Sequence, residues 1–132
     1  MNVLEGKITN ITTEGDLSLV RISLGQADFS SIVIDTPETA QHLFLGNLVK
    51  VIFKETEVIL GVGQNQGVSL QNRIEGDVTS IEEGKLLSRI KLRTAHGEII
   101  SIVTSNAVRA LNLTKGDVIC AMIKTNEIML SE

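Results

Sequence analysis

The sequence predicts a mostly β protein made of two tandem OB-like five-stranded barrels, each with one short helix, and three observations lead there. The 132-residue chain has three Phe and no Tyr or Trp, so its core has to be filled with Val, Ile and Leu, residues that favour strands. Short segments alternate apolar with polar residues, as half-buried strands do. The second half repeats the first: a shift of 70 residues lays Gly6 on Gly76, Thr9 on Thr79, Ile11 on Ile81 and Ser31-Ile32-Val33 on Ser101-Ile102-Val103. The same shift lays Leu43 on Leu113, Gly46 on Gly116, Lys54 on Lys124, Glu57 on Glu127 and Leu60 on Leu130. Register wavers only around Gly15 to Gln26 and Gly84 to His96, where hairpin loops are expected.

The first module spans residues 1–61, a linker 62–68 lies within the Gly- and amide-rich "GVGQNQGVS", and the second module spans 69–132. Each is read in the same order. "VLEGKITNI" and "RIEGDVTSI" alternate and open the modules as strands, followed by "LSLVRISLG" and "LLSRIKLR", then "DFSSIVI" and "EIISIVT". A short helix is expected in "DTPETAQHL", with Thr36 as N-cap and Pro37 in the first turn, and another in "SNAVRALNL" after Ser105 or Asn106. "GNLVKVIFKETEVIL" and "GDVICAMIKTNEIML" are expected to close each module as hairpins, turning near Glu55-Thr56 and Thr125-Asn126. Five strands with a helix between the third and fourth is the order of an OB-like barrel. A barrel this small has little core, so the modules are expected to lean on each other or on further subunits.

Composition argues against several functions. With a formal charge of -4, no basic stripe and no aromatic stacking platform, nucleic-acid binding is not expected. A single cysteine, Cys120, cannot form an intramolecular disulfide, there is no leader-like N-terminus, and no apolar run would span a bilayer. The expectation is a soluble cytoplasmic protein without membrane contact. His42 and His96 have no spaced partner ligand, no nucleotide-binding glycine loop occurs, and no nucleophile stands with a base, so neither a metal cation, an organic cofactor nor catalysis is expected.

The residues of the second half, "SLQNRIEGDVTSIEEG" through "EIISIVTSNAVRALNLTKGDVICAMIKTNEIML", resemble a Mop module, the molybdate-binding repeat of the TOBE superfamily. Such modules read Ser-x-Arg-Asn, then an apolar residue and Gly, later "ITNES", "LGL-x-x-G" and "V-x-A-x-IKAS". The first half is similar in the same frame but looser, so the whole chain resembles a tandem-Mop molbindin. The resemblance implies an OB-like barrel, a compact homo-oligomer with a trimer favoured, and molybdate or tungstate bound at module or subunit interfaces.

A tetrahedral dianion has four acceptor oxygens and no proton to give, so its shell needs donors alone: hydroxyls, amides, backbone N–H groups and an ammonium. In the second half the candidates are Ser69, Gln71 and Asn72 at the opening, Thr104, Ser105, Asn106 and Ala107 around the short helix, and Lys124 with Thr125 at the last turn; Lys54 is the counterpart in the first half. Gln71 stands where the family has Arg, which keeps donors but loses the charge, and Ala107 stands where it has Ser, which leaves fewer side-chain donors. In the first half Ile34 replaces Thr104, Asp35 replaces Ser105 and Glu55 follows Lys54, so that half is expected to serve as the partner wall of a site built mainly by the second. Each candidate also has a plain reading: Ser69 to Asn72 as linker capping, Thr104 and Ser105 as helix caps, Lys124 as a solvated strand lysine, Cys120, Met122 and Met129 as packing. Storage or buffering of the oxyanion ranks first, ahead of an oxyanion-sensing regulatory module acting through a separate partner, and ahead of an assembly protein with decayed sites.

Overall fold

The computed structural model describes residues 1–63 and 67–132; Gln64, Asn65 and Gln66, in the middle of the expected linker, lie outside them. The first half forms β1 (Asn2–Glu14), β2 (Leu17–Ser23), β3 (Asp28–Val33), β4 (Leu48–Phe53), a 3₁₀ turn at Glu55–Glu57 and β5 (Ile59–Gly61). The second forms β6 (Asn72–Glu83), β7 (Leu87–Thr94), β8 (Gly97–Thr104), α1 (Ser105–Ala110), β9 (Val118–Ile123), a 3₁₀ turn at Thr125–Glu127 and β10 (Met129–Ser131). The molecule is mostly β, in two five-stranded sheets ordered β10-β4-β1-β2-β3 and β5-β9-β6-β7-β8.

Alternation explains the strands. Along β1 the residues Asn2, Leu4, Gly6 and Ile8 point inward while Val3, Glu5 and Lys7 are exposed. β1 is long enough to serve two ladders, with β4 through Asn2–Lys7 and with β2 through Lys7–Glu14. A bulge between Ile8 and Asn10 bends it where the partner changes, and β6 has the same bulge between Val78 and Ser80. Just before the bend there is little room for a side chain: a Cβ on Gly6 would collide with Ile22, and one on Gly76 would sit tightly, 3.1 Å from the Arg93 carbonyl. The core is aliphatic, from Leu4, Val20, Ile22 and Val51 in one sheet to Ile90, Leu92, Ile99 and Ile123 in the other, with Phe29 and Phe53 fully enclosed.

Two expectations fail. The segments after β4 and β9 are not hairpins. β5 pairs with β9, Leu60 opposite Ala121, and β10 pairs with β4, Leu130 opposite Val51, so each half gives its last strand to the other half's sheet. Each 3₁₀ turn is followed by a strand that continues onward instead of folding back, and the turn itself packs on the opposite half, Glu55–Glu57 on β8 and Thr125–Glu127 on β3. The first expected helix is also absent. The Thr36 carbonyl accepts the N–H groups of Thr39 and Ala40, but the Thr39 hydroxyl accepts from the Thr36 N–H at 2.8 Å and donates to Asp35 at 3.1 Å. These local side-chain bonds compete with helix propagation and leave one turn.

Candidate functional site

The exchanged strands decide which candidates meet. Asn72 opens β6 opposite Ile123 and so stands beside Lys124. Its amide is wholly engaged across the halves: Oδ1 accepts the Ser30 N–H at 2.6 Å and Nδ2 donates to the Ser30 carbonyl at 2.8 Å. Asn2 makes the same pair of bonds to Ile100, each at 2.8 Å. Both asparagines are buried, and they act as struts between β-strands that share no ladder. Ser69 and Gln71 are exposed beside them, and Arg73 is turned back onto the carbonyls of Leu70 and Val68.

The α1 candidates stand elsewhere. Thr104 is the N-cap, its hydroxyl accepting from the Ala107 N–H at 3.1 Å, which also uses the Ala107 donor. Thr104 thus fills the plain capping role expected of it or Ser105, while a helix beginning after Ser105 or Asn106 would start one or two residues too late. Ser105 is fully buried, its hydroxyl donating to the Gly84 carbonyl at 2.7 Å and shared with Ser88 at 2.7 Å. It supports the start of α1 and faces no solvent. The Asn106 carbonyl oxygen accepts from Arg109, which is itself paired with Glu83 at 3.0 Å. Among the described residues no hydrogen bond or ion pair joins Thr104 or Ser105 to Lys124. β8, which ends at Thr104, packs instead on the Glu55–Glu57 turn that follows Lys54, while the turn after Lys124 packs on β3, which leads to Ile34 and Asp35.

Reading each half alone missed what the turns do together. Lys54 and Lys124 precede the two 3₁₀ turns. The neighbouring Glu57 carboxyl, followed by burial, pushes the Glu127 carboxyl up from its ordinary value, against the pull of Lys124 and Lys54. The recurrence of Lys-x-x-Glu seventy residues apart was the available signal. Thr125 lies in the second turn, half-buried. Burial raises the Cys120 thiol, opposed by the Arg73 charge.

A depression of about 430 Å³ is lined by Glu82, Glu83, Ser88 and Arg89. No three His, Cys, Asp or Glu side chains gather among the described residues, and among these residues no helix is long and apolar enough to cross a membrane. Large apolar side chains do face outward: Leu17, Leu19 and Ile32 on adjoining strands β2 and β3, then Ile34 at 81% exposed, with Leu86, Leu87 and Val118 in the second half.

Comparison with known proteins fits this geometry. Across 98% of this chain and 94% of the other, the fold superposes with a TM-score of 0.89 and 29% identity on a crystal structure of the cytoplasmic molybdate-binding protein ModG with molybdate bound. The molybdenum transport protein ModE of Azotobacter vinelandii is 24% identical over 132 residues, and the molybdenum-pterin-binding protein MopB of Rhodobacter capsulatus is 25% identical over 128. The chain spans about half the length of these curated relatives, 49% and 47% respectively. Residues 69–130 match the model of the TOBE domain family.

Proposed function

We propose that this protein binds a tetrahedral oxyanion, molybdate or tungstate, and stores or buffers it in the cytoplasm, with no catalytic step. The observation that supports this most is the likeness to a molybdate-bound structure over nearly the whole of both chains. The chain acts as two tandem OB-like modules, residues 1–61 and 69–132, that complete each other by exchanging β5 and β10. The donors proposed are the ammonium groups of Lys124 and Lys54, the Thr125 and Thr104 hydroxyls, Ser69, the Gln71 amide and the outward face of Asn106. Asn72, Ser105 and Ala107 serve by holding this shell in place, because their polar groups are already bonded within the chain.

The α1 donors and Lys124 of one chain are held by different partners, which favours sites finished by a neighbouring chain at a module or subunit interface. The outward apolar residues of β2, β3 and β7 supply the surface for a homo-oligomer, with a trimer favoured.

Calorimetry with molybdate, tungstate, sulfate and phosphate, followed by metal analysis of the dialysed protein, tests the function. Retention of molybdenum or tungsten by the wild type and its loss in Lys124→Ala/Thr104→Ala is the expected result. No uptake of either anion by the wild type would leave an assembly protein with decayed sites. Lys54→Ala is expected to cost less affinity than the double substitution, because Glu55 and Asp35 burden the first half.

A further inference from the structure

Ser69 and Gln71, two of the proposed donors, stand on a segment outside both sheets. The ladder of β6 with β9 ends at the pair Asn72 and Ile123, and one step beyond it the chain is Gln71 on one side and Lys124 on the other. Among the described residues, no backbone bond of a turn or loop fastens Val68 to Gln71 to the barrel. A side chain does so instead. The Arg73 Nε donates to the Leu70 carbonyl at 2.7 Å and its Nη2 to the Val68 carbonyl at 3.1 Å, so the guanidinium spans the backbone on both sides of Ser69.

We propose that Arg73 is a positioning residue of the oxyanion site: its guanidinium fork fixes the backbone from Val68 to Leu70, so that the Ser69 hydroxyl and the Gln71 amide are held at the end of the ladder where Lys124 stands. It acts on the ligand through these two donors. This rests on the oxyanion function and names a determinant of its affinity.

The fork is itself anchored. Asn72, its neighbour, is buried and bonded through its amide to the Ser30 N–H and carbonyl, which fixes the backbone that carries Arg73. A planar guanidinium presents donors at fixed angles and bridges two carbonyls at once, whereas an ammonium on a flexible stem keeps the charge without the fork. Ser69 and Gln71 are exposed, and without the fork their ordering falls on the binding step, where each immobilised side chain costs affinity. Val68 is exposed as well, so water replaces the fork there and the fold loses little. The first half has no such device, since the 70-residue shift places Val3 where Arg73 stands.

The test is molybdate calorimetry at neutral pH on the full chain, for wild type, Arg73→Lys, Ser69→Ala/Gln71→Ala and the triple variant that combines them. Arg73→Lys keeps the charge and is expected to lose about tenfold in affinity, the cost of ordering two side chains at binding. The triple variant should bind no more weakly than Ser69→Ala/Gln71→Ala, because Arg73 then has nothing left to position. Wild-type affinity in Arg73→Lys, or a further loss of similar size in the triple variant, overturns the positioning role and leaves the oxyanion function standing. No molybdate binding by the wild type overturns the function and this role with it. Backbone amide order parameters from NMR relaxation, without ligand, read the clamp directly. Values for Ser69 and Leu70 near about 0.85 in the wild type and below about 0.6 in Arg73→Lys, with Ile74 to Val78 unchanged, support it; equal values in the two proteins overturn it.

Discussion

Ser31 donates its hydroxyl hydrogen to the carbonyl of Ile128 at 2.8 Å, from 97 residues away in the chain. Ser101 does the same to Val58 at 2.8 Å. Both serines are fully buried, and each tethers the end of a 3₁₀ turn to the opposite half just before the exchanged strand begins. Ser31→Ala or Ser101→Ala should each cost about 1–3 kcal/mol, the penalty for leaving a buried carbonyl without its donor. Urea denaturation monitored by far-ultraviolet circular dichroism measures this; a loss below about 0.5 kcal/mol in both would show that the tethers do not hold the exchange.

Asn72 and Gln71 are neighbours in sequence with opposite roles. Asn72→Ala should destabilise the fold by about 1–3 kcal/mol, because the Ser30 N–H and carbonyl lose their partner. Gln71→Ala, at an exposed position, should change stability by less than about 0.5 kcal/mol yet weaken oxyanion binding. Paired denaturation and calorimetry on the two variants reads both effects, and the reverse pattern would make Asn72 the ligand.

Selectivity follows from the donor set. Molybdate and tungstate should bind alike, sulfate less well because fixed donors placed for a larger anion do not reach all its oxygens at about 2.9 Å. Monohydrogen phosphate should bind more weakly still, by about 1–3 kcal/mol, since its proton meets a donor. Gln71 is the residue able to soften this, by turning its carbonyl to accept that proton. Competition calorimetry decides; phosphate displacing molybdate at comparable concentration would direct mutation to Gln71→Arg.

Cys120 should alkylate more slowly than free cysteine at neutral pH. Burial raises its thiol, so less thiolate is present, and the strand pairing of Cys120 with Gly61 and Glu75 limits approach. Timed iodoacetamide labelling with mass detection checks it, and full denaturation should abolish the difference.

Sedimentation at micromolar concentration should give a species near three times the chain mass. Replacing Leu19 and Ile32, which face outward from paired positions, by Ser should shift it toward the monomer with little change in secondary structure. A wild-type monomer would remove the interface from the binding site.

Strands and their facing were legible because alternation is a local signal: Leu4, Ile8, Val20 and Ile22 could be placed inside from their spacing alone. The helix at Ser105–Ala110 was legible from its capping residues, but the equivalent stretch after Asp35 was not, because the contest there is settled by Thr39 and Asp35 side chains. Partner choice was hidden. Nothing in "KVIFKETEVIL" distinguishes a strand that folds back from one that crosses to β9, since both bury the same face. Among the site residues, Ser105 and Asn72 have the right chemistry for a ligand shell, and only their hydrogen-bond partners reveal that it is already used.

The exchange of β5 and β10 also orders events during synthesis. β5 is complete by Gly61, but β9, on which it lies, is not made until Ile123, and the sheet begun by β1 waits for Ser131 before its edge is occupied. The first half's sheet therefore cannot reach its final strand order until β10 is made, and the sheet that takes up β5 cannot until β9 is made. A nascent first half holds a short apolar strand with no place to dock, and the exposed edge of β4 beside it, until nearly the last of these residues emerges. Slowing translation across the second half should therefore lengthen the time this edge is open to pairing with another chain.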